Sequence, residues 1–145
     1  TLDRSSAASD VYKRQLTCID PEAEHQASAK NTFREAGYSP SRGRFLPSRP
    51  LDIMGRLAND TYQVIYAEVP ALDMPALVKA AWPLLHQHGT LVLANSLLDG
   101  TVADASRTDR DTAAAREADE LARSLEGAAV TRLPYGAGLT LITKL

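Results

Sequence analysis

Apolar positions along this chain follow two alternating periods, short continuous runs and longer stretches with a three-to-four-residue spacing. Leu16-Thr17-Cys18-Ile19 is a short apolar run ending on an acid, Asp20, and reads as a buried strand. Asp20-Pro21-Glu22 then opens a helix, with Asp20 as N-cap, Pro21 in the first helical position and Gly37 as the C-terminal glycine. Arg44–Leu46 is a weaker strand, and Leu51–Leu57 a short helix with Leu51, Met54 and Leu57 on one side. Tyr62–Ala67, interrupted only by Gln63, fits a buried central strand. Asp73 caps a helix whose stripe is Met74, Leu77, Val78, Ala81 and Leu85; Pro83 kinks its last turn and Gly89 closes it. Thr90–Ala94 is the next strand, followed by a polar loop from Asn95 to Asp109. Asp109 or Asp111 caps a helix with Ala114, Ala118, Leu121, Ala122 and Leu125 on one face. Two strands close the chain, Ala129–Leu133 and Leu139–Lys144, joined by Pro134–Gly138 as an antiparallel hairpin.

This alternation predicts an α/β fold, a parallel sheet with helices on both faces, finished by one reversed strand. In such sheets an acid at the end of the second strand takes the ribose hydroxyls of an adenosine cofactor. A carboxylate suits the task because its two oxygens accept from both hydroxyls of a cis-diol. The other reading of Asp20 is a plain helix cap. The glycine-rich turn expected one element upstream, which carries most of the cofactor contact in such folds, is not found before Leu16.

The residues before Leu16 read differently. Ser5-Ser6-Ala7-Ala8-Ser9-Asp10-Val11-Tyr12-Lys13-Arg14-Gln15 resembles the translation of a common transposon-library sequencing adapter, with Thr1–Arg4 fitting the index before it. Residues 1–15 are therefore expected to be an unstructured read-through scar, and 16–145 the C-terminal part of a longer domain. The other reading is a genuine polar arm. Setting aside Arg4, Lys13, Arg14, Asp3 and Asp10 moves the net charge from −2 to −3. That balance argues against a nucleic-acid partner held through phosphates. No apolar run approaches membrane-spanning length. Hydrophobic residues make up 44%, too many for a disordered chain. The single cysteine, Cys18, forms no internal disulfide, which suits a cytoplasmic protein, and it reads as a small core residue.

Four pieces in order carry a resemblance: Ile19-Asp20-Pro21-Glu22; Gly100-x-Val102-Ala103-Asp104; Thr112-x-x-x-Arg116-Glu117; and Leu133-Pro134-x-Gly136-x-Gly138-Leu139-Thr140 with Lys144. Together they resemble the class I S-adenosylmethionine-dependent O-methyltransferases, in particular the bacterial relatives of the catechol and caffeoyl-CoA enzymes. The resemblance implies strand order 3-2-1-4-5-7-6, with the first strand and its glycine loop upstream of this chain. It makes Asp20 the ribose acid and puts Ser48 and Arg49 at the adenine edge, where relatives carry Gly-Asp-Ala. Arg49 cannot accept from an adenine amino group but can stack on the ring. Glu68 falls at the position of a cofactor-side aspartate that also binds metal in metal-dependent members. Ala71 stands where they place a lysine base, and Ala94-Asn95 where they place Asp-Asn. Glu68 and Asn95 are thus the remaining candidates for a divalent metal, a degenerate set that argues against tight binding.

The catalytic base is not assigned by these residues. His25, His86 and His88 fit no common zinc spacing; His86 and His88 read as the end of a helix. Trp82 and Tyr135 are candidates for lining a substrate pocket, Tyr135 the better one, and ordinary packing is the alternative for both. The expected activity is methyl transfer from S-adenosylmethionine to a hydroxyl of a small molecule, the chain by itself being inactive and binding the donor weakly. A homodimer through upstream helices is implied by the resemblance. Two alternatives stay open: an NAD-dependent oxidoreductase, whose second strand also ends in an acid, and a non-catalytic adenosine-binding module.

Overall fold

The computed structural model describes residues 14–145. The expected adapter scar, apart from its last two positions, lies outside these residues. The chain divides into two compact units between Ile53 and Met54.

The first unit is a strand–helix–strand unit: β1 (Leu16–Ile19), α1 (Ala23–Glu35), β2 (Gly43–Leu46) and the single turn α2 (Pro50–Ile53). β1 and β2 run parallel, Leu16 opposite Gly43 and Ile19 opposite Leu46, and a parallel pair requires a crossover such as α1. α1 starts later than its Asp-Pro-Glu signal suggests. Asp20 is not the N-cap; Glu22 is, and it makes no side-chain cap. The Asp20 carboxylate instead accepts the Glu22 N–H at 2.7 Å, a local turn that holds Pro21 outside the helix. The other end follows expectation. Gly37, at φ 85°, donates to Arg34 O and Tyr38 N donates to Phe33 O, the two bonds that close a helix through a left-handed glycine. The Phe33 and Tyr38 rings stack at 5.0 Å across that turn.

The second unit holds β3 (Tyr62–Ala67), α3 (Met74–Ala81), β4 (Leu85–Ala94), α4 (Arg110–Ser124), β5 (Ala128–Leu133) and β6 (Leu139–Lys144). The strand order is β3-β4-β6-β5. β3 and β4 are parallel, and β6 runs antiparallel to β4 and to β5, so the reversed final strand is present. Ile65, Leu91, Ile142 and Val130 form one cross-strand row, register partner to register partner. Leu91, Leu93 and Ile142 are buried together with Leu77, Val78 and Ala81 of α3 and Ala115, Ala118 and Ala122 of α4, which pack on each other. Asp109 caps α4, its carboxylate accepting the Thr112 N–H at 3.1 Å.

Three local expectations change. Tyr62–Ala67 is the edge strand of this sheet, not a central one, and Val64 and Tyr66, on the opposite face from buried Ala67, are 64% and 65% exposed. The helix expected to reach Gly89 ends at Ala81, because Trp82-Pro83-Leu84 tightens into a 3-10 turn at the proline. Leu85 therefore begins β4 instead of ending a helix stripe, and His86 and His88 lie on a strand. Between the Tyr62–Leu85 and Val64–Thr90 pairs, β4 carries extra residues as a bulge in which His88 takes φ 68°. Gly89 sits where a Cβ would meet Tyr62 O at 2.7 Å and His86 O at 2.8 Å, so the backbone itself demands glycine.

Candidate functional site

In the first unit the carboxyl ends of β1 and β2 lie side by side. Asp20 follows β1 and donates its N–H to Leu46 O, the last residue of β2. Its carboxylate is partly exposed and has one protein partner per oxygen: Glu22 N–H on Oδ1 at 2.7 Å, and His25 Nδ1 on Oδ2 at 3.1 Å. The Glu22 N–H, aided by His25, holds the Asp20 carboxyl below its usual value. Each oxygen keeps lone-pair capacity for one further donor, so the group fits a cis-diol. The contact with His25 was not foreseen, although an i, i+5 pair across a turn into a helix is in reach.

The residue that organises this corner was missed entirely. Gln26 is the buried residue of α1, and its Nε2 donates to Cys18 O, Asp20 O and Leu46 O. A glutamine near the start of a polar helix carries no sequence signal for such a role. Ser48 and Arg49 follow β2 as Asp20 follows β1, so the three predicted cofactor residues of this unit share one end of the strand pair. The Ser48 N–H donates to Leu46 O and the Arg49 carbonyl accepts from Asp52 N; the Arg49 residue itself is exposed. An open groove of about 710 Å³ runs along α1, lined among others by Leu16, Cys18, His25 and Phe33, but not by Asp20. Cys18 is a free thiol whose pKa burial pushes up, as expected of a packing residue.

In the second unit Glu68 follows β3 and Asn95 follows β4, the neighbouring parallel strand. The structure brings them together: Asn95 Nδ2 donates to Glu68 Oε1 at 3.1 Å, with Asn95 in the left-handed region at φ 58°. This geometry turns the amide nitrogen, not its oxygen, toward the carboxylate. A divalent cation wants several converging oxygens. Ala94 supplies none, Ala71 places no lysine, and among the described residues no group of three or more His, Cys, Asp or Glu side chains is placed to hold a metal. The donor set does not fit a magnesium or calcium ion.

Asn95 is held from behind. Ser96 and Thr140 are buried, and the Thr140 hydroxyl donates to Ser96 Oγ at 2.7 Å. Ser96 N and Leu97 N donate to Gly138 O and Ala137 O of the hairpin loop. Gly138, at φ 97°, leaves no room for a side chain against Leu97, which accounts for the second glycine of Gly-x-Gly-Leu-Thr. Arg116 explains the other two motif pieces. Its guanidinium donates to Val102 O, Arg107 O, Thr101 O and Asp104 O, tying the 98–107 loop to α4. Buried Thr112 meets Thr101, hydroxyl to hydroxyl, at 3.1 Å. The pocket aromatics are not brought together: Tyr135 stands 78% exposed at the hairpin tip, and Trp82 lies under the Lys144 ammonium at 4.9 Å. Among the described residues no helix is long and apolar enough to cross a membrane.

No protein-family model matches the chain. A curated protein of Mycobacterium sp. strain KMS, provisionally named an O-methyltransferase, is 36% identical over 124 residues, covering 86% of this chain and 56% of that protein. A Mycobacterium leprae protein with the same provisional name is 35% identical over 128 residues, covering 88% and 57%. The chain thus spans little more than half the length of the curated relatives it matches. A crystallised protein of Corynebacterium glutamicum is 68% identical, with a TM-score of 0.86 over 90% of this chain and 60% of that one. The O-methyltransferase TomG of Streptomyces achromogenes, solved in complex with SAM, superposes with a TM-score of 0.78 at 22% identity, over 90% and 61% of the two chains. At that identity the likeness speaks for the fold alone. These comparisons lend no support to the oxidoreductase or the binding-module alternative.

Proposed function

Over the part it spans, this chain belongs to the class I O-methyltransferases, and from that premise we propose that the full-length protein methylates a hydroxyl of a small molecule using S-adenosylmethionine. When bound, S-adenosylmethionine would supply a methyl group on its sulfonium and leave as S-adenosylhomocysteine, the acceptor's hydroxyl proton going to solvent, since no residue of this chain is assigned as its base. The observation that carries the reading is Asp20, a carboxylate at the carboxyl end of a parallel strand with one free acceptor position on each oxygen. Asp20 takes the two ribose hydroxyls. Ser48 and Arg49, beside it, border the adenine, and the Arg49 guanidinium offers a face for stacking instead of a hydrogen-bond acceptor. In the second unit Glu68, oriented by Asn95 through Oε1, offers its carboxylate as an acceptor at the end of β3. No step is assigned to a metal, because the donor set does not fit one. The chain's contribution is then positioning, which by itself supplies much of the rate in a bimolecular transfer.

The test is formation of S-adenosylhomocysteine by the full-length protein with a panel of phenolic and aliphatic hydroxyl acceptors. Turnover with at least one acceptor, abolished by omitting it, is expected. Absence of both turnover and calorimetric binding of S-adenosylhomocysteine would overturn the reading.

A further inference from the structure

We infer that Gln26 is a positioning residue for Asp20, setting the direction from which that carboxylate meets the ribose; the inference rests on the role proposed for Asp20. Gln26 is 6% exposed in the early part of α1. Its Nε2 lies 3.0 Å from Leu46 O, 3.1 Å from Asp20 O and 3.3 Å from Cys18 O. Two protons serve three carbonyls, so one is shared. Cys18 and Asp20 flank the end of β1, and Leu46 ends β2. One side chain therefore joins the carboxyl ends of both strands to the turn that carries the acid.

The consequence for Asp20 is a backbone held on both sides. Its carbonyl is held by Gln26 of α1, and its N–H by Leu46 O of β2 at 3.2 Å. What freedom remains lies in the side-chain torsions, and Glu22 N–H and His25 take those up. Ribose recognition needs this order, because two hydroxyls fixed on a ring must meet two oxygens fixed on a carboxylate.

The other end of the amide supports a purpose beyond packing. Among the described residues Gln26 Oε1 is buried without a hydrogen-bond partner, which is destabilising for a polar atom. A leucine or methionine would fill the same space without stranding an acceptor. An amide is favoured here only if its donor end has work to do, and that end is on the carbonyls around Asp20.

The test compares calorimetric binding of S-adenosylhomocysteine and of its 2′,3′-dideoxy counterpart to the full-length protein. Wild type is expected to prefer the intact ribose by about ten- to a hundredfold. Gln26→Leu is expected to cut that preference at least about fivefold while leaving the dideoxy ligand within about twofold, and to raise KM for the methyl donor with kcat unchanged. In an Asp20→Ala background it should cause no further loss. Gln26→Met, closer in shape, repeats the measurement should the leucine variant fold poorly. Equal weakening of both ligands would mean a structural role only, and an unchanged preference would mean none; either overturns the inference. A wild type that binds but shows no ribose preference overturns the role of Asp20, and the inference falls with it.

Discussion

His25 Nδ1 lies 3.1 Å from Asp20 Oδ2, so the acid ending β1 meets an imidazole from the helix that follows it. The Glu22 N–H occupies the other oxygen at 2.7 Å. The two partners differ in consequence. Glu22 contributes a backbone donor that no substitution except proline removes, whereas His25 orients one oxygen only. Asp20→Ala in the full-length protein is therefore expected to weaken S-adenosylhomocysteine binding about ten- to a hundredfold. His25→Ala is expected to weaken it no more than about threefold. Calorimetry on the two variants decides; equal losses would place the ribose contact on both residues.

Asp109 gives a pH-dependent prediction. The Thr112 N–H and hydroxyl, with Arg107 beyond them, bring its carboxyl from the usual 3.8 down to about 2. A carboxyl depressed by folding stabilises the fold above its unfolded value and ceases to do so as pH falls through its folded value. The Asp109 contribution is thus complete above about pH 4 and gone below about pH 2. Asp109→Asn keeps a capping oxygen without the charge. Its melting temperature should fall below wild type by a few degrees at pH 7 and converge with it as pH drops from about 4 to 2. Thermal melts across that range would show a constant gap if the charge on Asp109 were immaterial.

Much of this architecture was legible because its signals are local. A left-handed glycine after α1 and an aspartate before α4 each follow from one residue's own stereochemistry, and the strand at Tyr62 from a short apolar run. Errors arose where a distant contact outweighs local preference. Pro83 ends α3 and lets β4 begin at Leu85, a choice fixed by pairing with Tyr62, so His86 and His88 moved from a helix to a strand. Asp20 looked like a cap and spends its carboxylate on a turn instead. At the site, residue types were readable and partners were not. Glu68 and Asn95 stand 27 positions apart, and only the parallel register of β3 and β4 makes them neighbours. Gln26 was invisible because its meaning lies in three carbonyls, which every residue has.

The Glu68–Asn95 pair predicts indifference to divalent cations. Asn95 turns its nitrogen to the carboxylate, and neither Ala94 nor Ala71 offers a ligand. Titration of the full-length protein with magnesium should give no binding tighter than about millimolar, and chelation should leave methyl transfer within about twofold. Micromolar magnesium binding that Glu68→Ala abolishes would reverse this conclusion.

Arg116 supplies the last prediction. Its guanidinium reaches four carbonyl oxygens between Thr101 and Arg107, among them Arg107 O at 2.8 Å and Asp104 O at 2.6 Å. A planar fork can serve several acceptors at once; a lysine ammonium on a flexible stem cannot reach the same spread. Arg116→Lys is therefore expected to destabilise the protein by about 2–3 kcal/mol in urea unfolding, the loss of two or three charge-assisted hydrogen bonds less what the ammonium recovers. The loss should be local as well as global. Amides of Gly100 to Arg107 should exchange faster in the variant, while those of β4 and β6 change only as far as overall stability falls. Unchanged exchange in that loop would mean that contacts other than Arg116, such as Thr101 with Thr112, hold it in place.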